Sequence, residues 1–326
     1  MARRHLALYL AAAAWTVPLG AQTRTTQMQA VGEAGPVDTT TQTEDVRFRN
    51  EYNERMTVPV LLGGAGPYRF LVDTGADRTA ISRQLASRLN LAAGSGAALH
   101  SVAGVSLVST AKVPSLQLTR KSVRIADAPL LDSMNMGADG ILGTDSLAAQ
   151  RVVFDFAAQT MSVVPSSTPD FRDEPGTIVV EGRGKNGRLI VTDASADDHH
   201  LTVVVDTGSQ VSIGNEALRR QLAGSSLVDG AQTVELESVT GEKITGQYMF
   251  IRNLELGGIG LKNLAVVFAP AHTFKQLKLD SKPALLLGMN AIRAFKKVSI
   301  DFANKRLRVI VPESSEREVQ VASIGG

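Results

Sequence analysis

With 326 residues, 44% of them hydrophobic and 20% charged, the chain has the length for two lobes and the balance of a soluble globular protein. It has no cysteine, which excludes a disulfide framework, a thiolate nucleophile and a lipid-modified cysteine. Setting aside residues 1–21 removes two arginines and no acids, leaving 32 basic against 32 acidic side chains; this balance argues against nucleic acid or anionic lipid as a partner.

Arg3 and Arg4, an apolar run from Leu6 to Leu19, and the small residues Gly20 and Ala21 read as a signal peptide over 1–21. The apolar run falls short of the roughly 20 residues that span a bilayer, so stable membrane insertion is not expected and the mature protein is exported, periplasmic or secreted. Residues 22–46, rich in Thr, Gln and Gly, read as a flexible leader. A first lobe over 47–167, a linker at 168–176, a second lobe over 177–312 and a tail at 313–326 follow. Val319 to Ile324 has the composition to add a short strand.

The two lobes are halves of an internal repeat counted from two aspartates. Arg55 stands 18 residues before Asp73, and Arg188 stands 18 before Asp206. The β-type runs Phe70-Leu71-Val72 and Val203-Val204-Val205 lead into the aspartates. Nine residues past each stands an N-cap candidate, Ser82 or Asn215, whose side-chain oxygen can accept an orphan helix N–H. Leu85 with Leu89, and Leu218 with Leu222, then place apolar side chains on one helix face. Each half continues to two apolar residues and a glycine, Ile141-Leu142-Gly143 and Leu286-Leu287-Gly288, and closes on a strand carrying Asp155-Phe156 or Asp301-Phe302. Asp73 to Gly143 is 70 residues and Asp206 to Gly288 is 82, so the second half is expected to carry loop insertions. Short β runs such as Val105 to Val108 and Leu264 to Phe268 fill the remainder, which makes the fold mostly β with a few short helices.

Each aspartate opens an Asp-Thr-Gly triplet. An aspartate ending an apolar strand is costly to bury unless satisfied; the threonine supplies a hydroxyl and the glycine a tight backbone approach. Two such triplets in a repeat imply a pseudo-twofold axis that brings both carboxylates together, where like charges compel them to share one proton. Such a pair offers a general base and a general acid to one water, with no covalent intermediate. Ser209 follows the second triplet where Ala76 follows the first, and its hydroxyl is expected to donate to the Asp206 carboxylate, making Asp206 the more readily ionised member.

The segment Phe70-Leu71-Val72-Asp73-Thr74-Gly75-Ala76-Asp77 resembles the active-site segment of retropepsins, and Val203 to Ser209 resembles its counterpart. The likeness covers roughly residues 47 to 312 and is closer to bacterial two-copy retropepsin-like aspartic proteases than to pepsin. It implies two pseudo-twofold-related β-barrel lobes with the active site at their interface. It also implies catalytic Asp73 and Asp206, supported by Thr74, Gly75, Ala76, Thr207, Gly208 and Ser209, with the threonines interlocking across the lobes. Hairpin flaps are expected at Val102-Ala103-Gly104 and Val239-Thr240-Gly241; neither tip carries the tyrosine of a pepsin flap. The resemblance implies an aspartic endopeptidase acting on a peptide or protein, without cofactor or metal, as a monomer with an intramolecular dyad. The competing reading is a catalytically silent retropepsin-fold binding or scaffolding protein of the cell envelope.

Three other patterns carry less. Gly182-Arg183-Gly184-Lys185-Asn186-Gly187 has a dinucleotide-binding spacing but precedes a β run, so it reads as a hairpin turn at Asn186-Gly187. His199-His200 beside Asp197 and Asp198 lacks a metal-ligand spacing and reads as a solvated loop. A Gly-x-Ser-x-Gly elbow is absent.

Overall fold

Apolar side chains crowd the approach to each aspartate, and each approach is a strand: Phe70 to Val72 ends strand Ala65–Val72 and Val203 to Val205 ends strand Thr202–Val205, all six side chains buried. The computed structural model describes residues 56–118, 122–148, 150–168, 174, 176–185, 187–223 and 232–312, with short strands at 7–10, 13–16, 45–47, 49–50 and 318–320. The described residues are mostly β, with six helices of at most seven residues. No helix among them is long and apolar enough to cross a membrane.

In the first half the strands run Thr110–Gln117, Ser122–Leu131, Ala80–Ser82, Gly140–Leu142, Ala65–Val72 and Met56–Leu62, and the pairs Leu116 with Leu62 and Gln117 with Leu61 close the ring. The second half repeats the order with Lys243–Leu256, Ile259–Phe268, Ser212–Gly214, Ala284–Leu287, Thr202–Val205 and Arg188–Val191. There the closing strand is interrupted at Thr192 and Asp193, and its continuation, Ala194–Ala196, pairs back onto Lys243–Leu256. Some of the second half's extra length lies in strand, since Lys243–Leu256 has 14 residues where Thr110–Gln117 has 8.

Both helix starts are built as the spacing predicts. Ser82 Oγ accepts from Leu85 N at 3.0 Å and Asn215 Oδ1 accepts from Leu218 N at 2.9 Å. Leu85, Leu218 and Leu222 are buried below them.

A six-stranded sheet joins the halves: Thr177–Glu181, Arg306–Ile310, Lys297–Asp301, Gln150–Asp155, Thr160–Pro165 and Asp45–Arg47. At its centre Val153 pairs with Ser299; two residues to either side, Arg151 faces Asp301 and Asp155 faces Lys297. That reciprocal register is what a twofold axis between the halves produces. One apolar cluster runs from Phe70 and Val72 through Val152, Phe154, Val298 and Ile300 to Val205 and Leu285, so the two aspartate strands are mounted on a common core.

Further strands pair at the edges, where two expectations, the tail strand and the His199-His200 loop, need amendment. Asp45–Arg47 pairs with Thr160–Pro165, so ordered pairing begins inside the segment read as a leader. Within the expected signal segment, Ala7–Leu10 pairs parallel with Ala97–Ser101 and Ala13–Thr16 pairs antiparallel with Gln232–Ser238. Glu318–Gln320 pairs with Ile259–Phe268, a strand shorter than Val319 to Ile324 and beginning earlier. His199–His200 is not a loop but one arm of a tight hairpin with Ala194–Ala196, turned by Asp197 and Asp198 at φ 46° and 66°. Both turn residues lie in the left-handed region that a two-residue hairpin requires. Arg183–Lys185 pairs antiparallel with Arg188–Val191, Lys185 with Arg188, as the hairpin reading requires; Asn186 itself lies outside the described residues.

Candidate active site

In each half a short strand lies parallel to the aspartate strand, Leu142 beside Val72 and Leu287 beside Val205. Asp73 N then donates to Leu142 O at 3.1 Å and Asp206 N to Leu287 O at 3.0 Å. The next residue on the neighbouring strand is Gly143 or Gly288, where a Cβ would meet backbone at 2.4 Å (Arg78 C) or 2.6 Å (Val211 C). The apolar-apolar-Gly signal is thus the seat of the aspartate turn: only glycine lets the two backbones approach this closely.

The turns are braced alike. Gly143 N donates to Thr79 Oγ1, which donates to Asp145 Oδ1 at 2.7 Å; Gly288 N donates to Ser212 Oγ, which donates to Asn290 Oδ1 at 2.9 Å. These two braces were not singled out in the sequence, although each lies two residues past its signal glycine.

The triplets interlock. Thr74 N donates to Thr207 Oγ1 and Thr207 N to Thr74 Oγ1, both at 3.0 Å. Each hydroxyl passes its own proton to the other half's strand, Thr74 to Val205 O at 3.0 Å and Thr207 to Val72 O at 2.8 Å. Each buried hydroxyl therefore both donates and accepts, and four hydrogen bonds tie one half to the other.

Within each triplet the glycine N–H holds its own aspartate: Gly75 N to Asp73 Oδ1 at 2.7 Å, Gly208 N to Asp206 Oδ1 at 3.0 Å. Across the interface each glycine makes room for the other carboxyl. A Cβ on Gly75 would lie 2.5 Å from Asp206 Oδ1, and one on Gly208 2.2 Å from Asp73 Cγ. Two carboxyls, each about 1% exposed, thus face one another across the pseudo-twofold axis. Burial first, and the neighbouring Asp73 second, hold the Asp206 carboxyl well above the usual carboxylate range.

Ala76 is buried behind its triplet, and Thr144 N donates to its carbonyl as Met289 N does to that of Ser209. The role expected of the Ser209 hydroxyl is corrected here. Ser209 Oγ donates to Val211 O at 2.8 Å, and a hydroxyl has one proton to give. Ser209 supports Asp206 through its backbone N–H instead.

A sequence model of the family described as aspartyl protease matches residues 58–146 and 192–291, more than half of the chain. The chain belongs to the aspartyl protease family. No curated protein matches it. The two matched stretches carry one triplet and one braced glycine each, so the family signature is present twice.

One strong interaction of this family member escaped the sequence reading, although both of its residues were in view. Arg188, fully buried, reaches from the second half to Asp77 of the first, Nη1 to Oδ1 2.8 Å, and Nη2 donates to Gly75 O. Burial pushes the Asp77 carboxyl up to about 7, against the pull of Arg188 and with the push of Asp73. The signal was the shared 18-residue offset before each aspartate. Arg55, its counterpart, lies outside the described residues.

The residues expected as flaps are at hairpin turns. Ala97–Ser101 and Val105–Val108 flank Val102-Ala103-Gly104, and Gln232–Ser238 and Lys243–Leu256 flank Val239-Thr240-Gly241. Ser101 Oγ accepts from Ala103 N and Gly104 N, and Ser238 Oγ from Thr240 N. The tips are exchanged: Val102 packs in an apolar cluster of the second half with Val204 and Phe274, and Val239 in one of the first half with Leu71 and Met136.

Proposed function

We propose that this protein is an aspartic endopeptidase, in which Asp73 and Asp206 share one proton and activate one water. The carrying observation is the crossed packing of each carboxyl over the other half's glycine, which leaves no room for a side chain between them. Burial and the nearness of Asp73 favour the protonated form of Asp206 in the free site, which leaves Asp73 as the proposed base. Asp73 takes a proton from water as the oxygen attacks the peptide carbonyl carbon, while Asp206 gives its proton to the carbonyl oxygen. The tetrahedral diol then collapses: its C–N bond breaks as the amine nitrogen takes the proton now on Asp73 and one hydroxyl returns its proton to Asp206, which leaves a carboxylic acid, an amine and the dyad as it began. No covalent bond forms between enzyme and substrate.

The hairpins are flaps in this reading, and the substrate is an extended peptide running beneath both. A peptide has one direction, so across a pseudo-twofold cleft it lies parallel to one flap strand and antiparallel to the other. Residues 7–10 and 13–16 of the chain itself pair with the two flap strands in that sense, which supports the reading. The intramolecular dyad makes the monomer the active unit. Arg3, Arg4 and the following apolar run support export, and cell fractionation tests that placement.

The deciding experiment incubates the protein with a diverse peptide pool, with and without a statine-type inhibitor, and reads cleavage by mass spectrometry. Inhibitor-sensitive cleavage that disappears in both Asp73→Asn and Asp206→Asn is expected. Near-normal turnover in either single variant refutes the dyad. Absence of cleavage by the unaltered protein over a broad pH range leaves the binding-module reading in its place.

A further inference from the structure

His100, on flap strand Ala97–Ser101, meets His272 of helix His272–Gln276 in the other half edge to edge, ring centroids 5.2 Å apart and planes 19° off parallel. His100 Nδ1 and His272 Nε2 are 2.9 Å apart and share a hydrogen bond, and Gln276 Nε2 closes on the same His100 nitrogen. Two residues on, His272 N donates to Val102 O at 2.8 Å, and the Val102 side chain packs with Phe274. The first flap is thus fastened to the opposite half through one short helix. The second flap has no such pair: counting from Ser101 and Ser238, Glu237 stands where His100 does.

We propose that His100 and His272 are positioning residues that latch the first flap onto the opposite half while neutral and release it when they are protonated. A hydrogen bond between two imidazole nitrogens needs a lone pair on one of them, and two imidazolium rings have none to offer. Two cations in contact also repel. Burial holds both imidazoles below their ordinary value of 6.5, His100 further by His272 and His272 further by Lys275. The sign follows: release returns the rings to water, so the released flap takes up protons first and gains population as pH falls through that value.

The groups around the pair leave it that role. On the helix, Lys275 disfavours a charged His272. On Ser122–Leu131, which packs against the flap strand, Arg124 is exposed and Asp127 Oδ1 is held by Ser95 and Thr110. Ala7–Leu10, whose Tyr9 is in register with His100, carries no charged residue. From the other flap, Glu242 accepts from Ser106 Oγ on Val105–Val108 at 3.0 Å.

The name flap rests on the protease reading, but the latch can be tested without catalysis. Hydrogen exchange of the full chain carrying Asp73→Asn is followed at pH 8 and pH 5, converted to protection factors, with His100→Phe and His272→Gln in the same background. Protection over residues 97–108 and at His272 N–H is expected to fall about tenfold or more from pH 8 to pH 5, while strand Ala65–Val72 stays protected. His100→Phe, which keeps a ring but no proton site, should abolish the pH dependence, as should His272→Gln. Protection that is independent of pH in the parent, or that falls equally in both histidine variants, overturns the latch. Neither result bears on the dyad, which the peptide assay tests.

Discussion

Replacing Arg188 with methionine removes a buried cation while keeping most of the side-chain volume, and its effect can be worked from the surroundings. The ion pair with Asp77 has side chains 0% and 16% exposed, so breaking it from one side costs about 3–5 kcal/mol. Gly75 O also loses its donor, an overlapping loss and not an additive one. At about 2–4 °C per kcal/mol, Tm should fall by about 6–20 °C. The loss should depend on pH. Asp77 titrates near 7 in the folded protein against 3.8 ordinarily, so its contribution to stability is fully present below 3.8 and declines as pH rises to about 7. At pH 5 Asp77 is protonated with or without Arg188, whereas at pH 8 the variant must bury an unanswered carboxylate or protonate it. The drop in Tm should therefore be larger at pH 8, and Arg188→Met with Asp77→Leu should recover most of it. Calorimetry of the three proteins at both pH values decides. A drop below about 2 °C at pH 8, or equal drops at the two pH values, would refute the account of Arg188 as the cation answering Asp77.

Gly208→Ala sets a Cβ against the Asp73 carboxyl and should lower kcat/KM at least about a hundredfold in a folded protein, as checked by peptide turnover and circular dichroism. Thr74→Val takes the acceptor from Thr207 N and the donor from Val205 O, both buried, and should cost about 1–3 kcal/mol in a denaturant titration; an unaltered midpoint would remove the interlock. Ser209→Ala should leave the acid limb of kcat/KM against pH in place, because its hydroxyl is committed to Val211 O; a clear upward shift would restore the donor role read from the sequence.

What the sequence disclosed and what it concealed divide along a physical line. The triplets, the caps at Ser82 and Asn215, the glycines at 143 and 288, and the Asn186-Gly187 turn are local signals, each fixed by what one or two backbone groups need. Their placement in a repeat carried the fold as well, because equal spacing in two halves implies equal structures. The pairs that join the halves left no such trace. Arg188 and Asp77 lie 111 positions apart and His100 and His272 172, and no local propensity records which distant residues meet. Arg188 was visible as a landmark, but a repeat read half by half assigns each residue to its own half, and this one acts in the other. The Ser209 expectation failed for a related reason: proximity in sequence put its hydroxyl near Asp206, while the turn geometry gave it Val211 O as its acceptor.

The departures from symmetry bear on which halves pair. Position by position, Asp77 and Asp145 of the first half face Gln210 and Asn290 in the second, so the second half carries amides where the first carries acids. Arg188 is buried by the same contact that buries the triplets, and its counter-charge is Asp77. Two second halves brought together about a twofold axis would bury Arg188 against Gln210, a cation facing a neutral amide, at the several kcal/mol that an unanswered buried charge costs. The threonine interlock and the central sheet are nearly indifferent to this choice, since Thr74 and Thr207 make equivalent bonds and Val153 and Ser299 sit on the axis. The charge asymmetry, present in neither triplet, therefore disfavours the pairing of two second halves.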